Sequence, residues 1–357
     1  MKKQNKKSGF KRTSALTLGA MGVVYGDIGT SPIYAFNEAV RAGGDTRDEI
    51  LGVLSLVFWT LTAVVSIKYL VFVLHADNKG EGGTLAMFSQ LSSKIRSGKK
   101  GILGFTVFLF LMAAAMEFSD GILTPAISVI SAVEGIKTIN PELEYLVVPI
   151  TVLILAVLFT FQFKGTHNLG KVFGPVMIIW FITLSVIGIY QIVQNPESLV
   201  ALNPMYAANF VVAHGFQTLF VMASVILAVT GAEALFADLG HFGRGPIRIG
   251  WFGLAGIALP LSYFGQGALL LRDPSKIGNS FFGMVPAGLP ALMLLLITTL
   301  ATIIASQALI SAVASLASQA SQLGLLPRLR IKHTNHEERG QIFVPFVNTI
   351  VGIGSIT

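Results

Sequence analysis

The sequence predicts an all-α, polytopic membrane protein, and three observations carry that prediction. Of its 357 residues, 53% are hydrophobic and only 12% are charged, against roughly one quarter charged in soluble domains. Apolar stretches near the ~20 residues that cross a bilayer recur over 14–41, 50–75, 102–135, 145–164, 171–194, 213–240, 247–271 and 288–323. One such run could be a buried helix of a soluble core, but this many in a chain of this length cannot all hide in one. The third observation is segregation of the basic residues. With the N-terminus inside, the outer loops hold only Arg41, Arg47, Lys137, Arg272 and Lys276, and nearly all the other Lys and Arg fall on the inner side, as the positive-inside rule requires. Lys68, in "VVSIKYLVF", sits near the inner end of the second run and is expected to snorkel.

The first element is a basic cytoplasmic tail, 1–13, "MKKQNKKSGFKRT". It leads into a full-length run without a small-residue cleavage site, so it is not read as a signal peptide. Residues 14–341 form the membrane core of about eight spans, with no soluble domain among them. Residues 342–357 begin a ninth apolar run that the end of the chain cuts short, so a truncated piece of a longer protein is expected. The eighth run exceeds one crossing, and its Ser-rich end is expected to project toward the cytoplasm. The net charge of +7 lies at span ends and reflects topology, not a nucleic-acid surface. The absence of cysteine removes disulfides and thiolate metal sites.

Within these runs, three clusters are expensive where they sit, because an ionised group at mid-bilayer costs several kcal/mol unless it faces a cavity or a partner. The first is "GVVYGDIGTSPIYAF", Gly22 to Phe36, where Gly26, Gly29 and Pro32 interrupt regular helix around Asp27. Broken backbone inside a membrane belongs beside a cavity, where freed carbonyls, hydroxyls and Asp27 could coordinate a cation. A packing kink with Asp27 paired elsewhere is the plainer alternative. The second is "AMEFSDGILTPAISVISA": Asp120, Thr124, Ser128 and Ser131 share one helix face, Glu117 can join it, and Pro125 frees a carbonyl one turn earlier. Such oxygens suit a hard cation, while a polar packing seam would use the same residue types. The third is "VILAVTGAEALFADLGHFG", with Thr230, Gly231 and Glu233 inside the run and Asp238 and His241 near its inner end. Glu233 is the candidate proton carrier, since a carboxyl group in low dielectric has reason to exchange its charge for a proton. Interruptions in the first and sixth runs, corresponding positions of two five-helix halves, point to a transporter site.

The segments "GVVYGDIGTSPIYAF", "SIKYLVFVLHADNKGEGGTLAM", "DGILTPAISVISAVEG", "GAEALFADLGHFG", "YFGQGALLL" and "ATIIASQALISA" resemble the KUP/HAK/KT family of potassium transporters, from about Leu16 to Asn348. The resemblance implies potassium uptake across the cell membrane by proton-coupled symport with alternating access. It also implies a LeuT-like, amino acid–polyamine–organocation fold of two inverted repeats with discontinuous first and sixth helices, the second repeat incomplete here. It assigns Asp27, Tyr34, Asp120, Thr124, Ser128 and Thr230 as K⁺ ligands and Glu233 to proton coupling. Phe118 and Ser119 depart from the glycine of many relatives, which should alter local packing only. Family members are often homodimers and can be inhibited by cyclic di-AMP, though no motif here carries either property. In "HADNKGEGG", Asp77, Lys79 and Glu81 are a candidate inner gate; a solvated turn reads equally well. No cofactor beyond the transported K⁺ and H⁺, and no enzyme activity, is expected: GxSxG and HExxH are absent. An amino-acid transporter of the same fold is disfavoured because Asp27, Asp120 and Glu233 would repel a substrate carboxylate. A channel is disfavoured by the lack of a TVGYG-type filter.

Overall fold

The computed structural model describes residues 2–78, 80–95, 102–164, 167–333 and 342–357. The first predicted run is three helical pieces. Helix α1 (Lys2–Val23) stops before Tyr25, a short α2 (Gly26–Thr30) passes into a 3₁₀ turn at Ser31–Ile33, and α3 (Ala35–Gly43) resumes after Tyr34. Pro32 lacks the amide that would continue the α ladder. Thr46 then caps α4 (Arg47–Leu61) through a reciprocal capping box with Glu49. The same helix runs on as a π turn over Thr62–Phe72, which the sequence reading did not anticipate. Within it, Lys68 is exposed and lies over the Tyr69 ring at 5.3 Å.

After α5 (Thr84–Ile95) come α6 (Ile102–Val133), α7 (Ile136–Ile139), α8 (Val147–Phe161) and α9 (His167–Gln194). The sixth run starts earlier than its composition suggested: α10 (Met205–His214) precedes α11 (Thr218–Ile226), separated by Gly215 at φ +52°. That run then breaks. A 3₁₀ turn at Leu227–Val229 gives way to extended Thr230 and to Gly231 at φ +82°, before α12 (Ala234–Ala237) and α13 (Leu239–Phe242). Helices α14 (Arg244–Gly250), α15 (Gly256–Arg272), α16 (Leu289–Gln322) and α17 (Pro345–Ile356) follow, with a two-residue hairpin pairing Lys332 to Phe343 before α17. A second π turn, Trp251–Ala255, joins α14 to α15.

Among the described residues, seven helical stretches are long and apolar enough to cross a membrane: Arg47–His75, Gly104–Ile139, Pro141–Phe161, Val172–Gln194, Met205–Ala237, Arg244–Arg272 and Leu289–Gln322. The broken first run is not among them. At 34 residues, α16 is about 51 Å long, well beyond a hydrocarbon core of about 30 Å. Its Ser-rich end is packed as well: Leu316, Ala317, Ser318 and Ala320 are buried, with Leu316 and Ala320 packed against Leu85 and Ala114.

The core gathers around the first run. Helix α9 packs on both α1 and α15, and α16 lies against α2 and α6. Small residues let these backbones approach, as membrane helices require when lipid offers no hydrophobic drive. A Cβ on Gly265 would lie 2.6 Å from the Gly188 Cα, and one on Gly188 would lie 2.3 Å from the Leu261 carbonyl oxygen. Tyr25, fully buried, donates its hydroxyl to the Ile247 carbonyl and stacks on Trp251 at 6.1 Å, fixing α14 to the end of α1.

This crossing sets a stability test. Gly265→Val should force α9 and α15 apart and destabilise the fold by about 1–3 kcal/mol, the usual cost of overpacking. Gly104→Ala, within α6 where the added carbon meets nothing within 4 Å, should not lower thermal stability in detergent and should raise it slightly, since alanine loses less backbone freedom in a helix.

Candidate functional site

The two helix breaks face each other. A Cβ on Gly231 would lie 2.7 Å from both Asp27 Oδ2 and the Ile28 nitrogen, so the positive φ and the close approach both demand glycine there. This apposition brings together three acids that are far apart in sequence. Carboxylate oxygens of Asp27, Asp120 and Glu233 all lie within 4.8 Å of one another. Asp27 is 4% exposed, and neither of its oxygens has a hydrogen-bond partner. Thr124 donates to Asp120 Oδ1 at 2.5 Å, while Asp120 Oδ2 is buried and unpartnered. A set of carboxylate oxygens this close could hold a hard cation.

Hydroxyls lie beside the acids. Tyr34 is buried at the second bend of the first run, just after the 3₁₀ turn Ser31–Ile33, which packs on α6 and on the 3₁₀ turn before Thr230. Thr230 donates to the Leu227 carbonyl at 2.8 Å. Asp27, Tyr34, Asp120, Thr124, Ser128, Thr230 and Glu233 are therefore collected in one region, while Ser131 lies further along α6 against a separate cavity.

Three carbonyls of the first break accept side-chain hydrogen bonds. Trp180 Nε1 donates to the Gly29 oxygen at 2.8 Å, Gln266 Nε2 to the Pro32 oxygen at 2.9 Å, and Thr30 Oγ1 to the Asp27 oxygen at 2.8 Å. These three carbonyls of the first break are thus met by side chains of α9, α15 and its own turn. Sequence reasoning missed Trp180 and Gln266. A glutamine inside the apolar run "YFGQGALLL" is itself costly and could have been flagged. A tryptophan in "MIIWFITL" carries no such signal.

A cavity of about 550 Å³ reaches the acids from one side, lined among others by Leu16, Val23, Asp27, Glu117, Asp120, Glu233 and Gln319. It runs from Asp27 on α2 back along α1 past Val23 to Leu16. Glu117 faces it and accepts a hydrogen bond from Thr84. Asp238 and His241, 3.6 Å apart, lie along its wall. On the far side of Tyr34, a separate cavity of about 180 Å³ is lined by Asn37, Ser131 and the segment Gly278–Phe282. Hydrogen bonds and packing hold that segment in place. The Gly278 nitrogen donates to Asn37 Oδ1 at 2.7 Å, Asn279 Nδ2 donates to Thr138 Oγ1 at 3.2 Å, and a Cβ on Gly135 would strike the Phe282 ring at 2.4 Å.

Asp77 and Glu81 stand apart from the acid cluster. Asp77 accepts from the Gly80 nitrogen at 2.7 Å and pairs with Arg244, and Glu81 is exposed. Their loop docks on α12 and α13 of the sixth run: a Cβ on Gly82 would lie 1.8 Å from the Phe236 carbonyl oxygen, and one on Gly240 would lie 3.7 Å from Glu81 Cα. Lys79 lies outside the described residues.

Apolar helices around a buried acidic cleft between two facing helix breaks define a polytopic helical membrane protein. A family profile described as K+ potassium transporter integral membrane domain matches residues 14–357, and the chain belongs to that family. It is 51% identical over 344 residues to the probable potassium transport system protein Kup 2 of Paramagnetospirillum magneticum, covering 96% of this chain and 53% of that relative. It is 51% identical over 343 residues to the corresponding Kup 1 of Rhodopseudomonas palustris (strain BisB18), covering 94% and 54%, and 50% identical over 339 residues to Kup of Methylibium petroleiphilum, covering 94% and 54%. The chain spans about half the length of the curated relatives it matches.

Docking of this loop is expected to weaken in acid. The Gly80 amide, and next the Arg244 guanidinium, hold the Asp77 carboxyl below its ordinary 3.8. A depressed carboxyl stabilises the folded arrangement above the unfolded value and loses that contribution as pH falls through the folded one. Loop protection against limited proteolysis should therefore persist from neutral pH down to about 4 and fall below it. Arg244→Gln should expose the loop already at neutral pH.

Proposed function

We propose that this chain is the core of a secondary-active potassium importer that couples K⁺ entry to protons by alternating access. The observation that carries the reading is the unpartnered Asp27 carboxylate facing Asp120 and Glu233. At 4.8 Å, two like charges repel by about 3.5 kcal/mol at an effective dielectric of 20. Three ionised acids cannot share that space without a cation or a proton among them. A cation entering the cluster and a proton leaving it are then linked by charge. That the cation is potassium rests on the family and on the printed names of the relatives. In this reading Asp27 and Asp120 supply charge, Tyr34, Thr124, Ser128 and Thr230 supply neutral oxygens, and Glu233 carries the proton.

Pairwise likenesses between the two halves support a LeuT-like inverted repeat. The first and sixth runs are both broken, the second and seventh both carry a π turn, and the third and eighth are the long helices of 32 and 34 residues. The unequal cavities support alternating access: the larger one reaches the acids, and the smaller one, on the Gly278–Phe282 side, faces outward when the basic N-terminal tail is cytoplasmic. Asp77, held by Arg244, fits a contact that keeps the inner loop in register with the sixth run.

The test is proton flux into proteoliposomes on adding K⁺, with the membrane potential clamped. Wild type should show K⁺-dependent proton flux, and Asp27→Asn and Asp120→Asn should lose both ion fluxes while remaining folded. Glu233→Gln should weaken the pH dependence of uptake more than K⁺ binding. Robust K⁺ entry with no proton flux in wild type would replace symport with an uncoupled, channel-like pathway.

A further inference from the structure

The larger cavity is bigger than an inorganic ion requires. At about 550 Å³ it falls within the roughly 300–1,000 Å³ of pockets that enclose small organic molecules. Its walls are also unsuited to an ion alone. Leu16, Val23, Phe242, Leu309, Ala312 and Leu316 line it, and such side chains offer no oxygen to replace lost water. Ala308, Leu309, Ala312 and Leu316 recur at three- and four-residue steps, so one face of α16 lays an apolar strip along the cleft. The mouth lies at α12 and α13, where Ala237, Gly240 and His241 are exposed.

Charge is unevenly placed along this cleft. Among the described residues that line it there is no Lys or Arg. On the wall, Glu117 accepts from Thr84 and Asp238 pairs with His241 at 3.6 Å, so both of these acids are already engaged. At the deep end, Asp27 is 4% exposed with neither oxygen partnered, and one oxygen of Asp120 is buried without a partner. Glu233 completes the group, with carboxylate oxygens of the three acids within 4.8 Å of one another. A nitrogen at the centre of an equilateral triangle of that side lies about 2.8 Å from each corner, the usual N⁺–H···O⁻ length. A primary ammonium has three N–H donors and no acceptor, one donor for each acid. A second positive charge along the body would gain little, because the wall acids have partners.

We propose that the cleft is an inhibitory site for a primary organic ammonium, whose head occupies the acid cluster while its apolar body lies along α16. The head takes the place of the transported cation. The body adds the burial of apolar surface, a gain that an inorganic ion does not have. The site selects by donors and shape together. A quaternary head keeps the charge and loses the donors, and an alcohol of the same shape loses the charge. This goes beyond the proposed transport function and rests on the acid cluster, not on which cation is carried.

The experiment titrates the complete protein, purified in detergent and K⁺-free buffer, with 4-phenylbutylammonium, its N,N,N-trimethyl analogue and 4-phenylbutanol, reading Kd by calorimetry. The primary ammonium should bind about 10- to 100-fold more tightly than the alcohol, the worth of a charged, hydrogen-bonded head. It should bind about 3- to 10-fold more tightly than the trimethyl analogue, which lacks the donors. Asp27→Asn should remove the preference for the ammonium. Ala312→Phe, which fills the cleft, should weaken ammonium binding and leave the melting temperature unchanged. In proteoliposomes the ammonium should inhibit K⁺ uptake. Equal binding of the three ligands, or no binding of the ammonium, overturns the site, and so does ammonium binding that survives Asp27→Asn unchanged. Binding through Asp27 that leaves K⁺ uptake unaffected overturns the inhibitory role. Should the variants not fold, the three-ligand comparison on wild type decides alone. If the ammonium binds through Asp27 but wild type takes up no K⁺, the site stands and the potassium reading fails.

Discussion

The contact of Gly231 with Asp27 is the constraint on which the rest of the structure depends. Two interrupted helices can meet at their breaks only if one of them has no side chain there, and Gly231, at φ +82° and 2.7 Å from Asp27 Oδ2 at its would-be Cβ, meets that condition. The interruption exposes backbone groups that lipid cannot solvate. Trp180 and Gln266 take up the carbonyls of Gly29 and Pro32, so α9 and α15 are held in place by the polar needs of the break as much as by packing. The close Gly188–Gly265 crossing of those two helices brings both donors to the same short segment.

Once the backbone is satisfied, the unsatisfied groups are side chains. Both oxygens of Asp27 and one of Asp120 are buried without partners, and Glu233 adds a third acid to the same space. A folded core does not tolerate this arrangement for stability's sake. It has a use where charge arrives and departs, which is why the proposed coupling of a cation to a proton is placed here. A large cavity meets the acids from the α1 side, and a smaller one lies beyond Tyr34, where hydrogen bonds from Gly278 and Asn279 and the Phe282 ring hold that segment against Asn37, Thr138 and Gly135.

Much of this organisation was legible in the residues. Composition and basic-residue segregation marked a polytopic membrane protein, and α16 fell within a residue of its expected limits. Gly26, Gly29 and Pro32 announced the first break, and Thr230 with Gly231 the second, because glycine and proline alter backbone freedom wherever they stand. The spacing of Asp120, Thr124 and Ser128 placed them on one face. Other features were hidden. The start of the sixth run at Met205 was missed because the run is cut by Gly215, so its two pieces do not read as one apolar stretch. The π turns over Thr62–Phe72 and Trp251–Ala255 carry no local signature, since Arg248 settles the Leu70 carbonyl and Ser66 accepts from Trp251 only across the fold.

The sequence by itself determined which residues are costly in a membrane and where regular helix must fail, because both follow from solvation and backbone freedom at single positions. Only the tertiary structure decided what those costs are set against. It brought Asp27, Asp120 and Glu233 within 4.8 Å, directed the freed carbonyls to Trp180 and Gln266, and set Asp77 against Arg244 instead of the acid cluster. Such partners lie scores of residues apart, and their meeting depends on how whole helices cross. That is a property of packing among many elements, which no single stretch of the chain encodes.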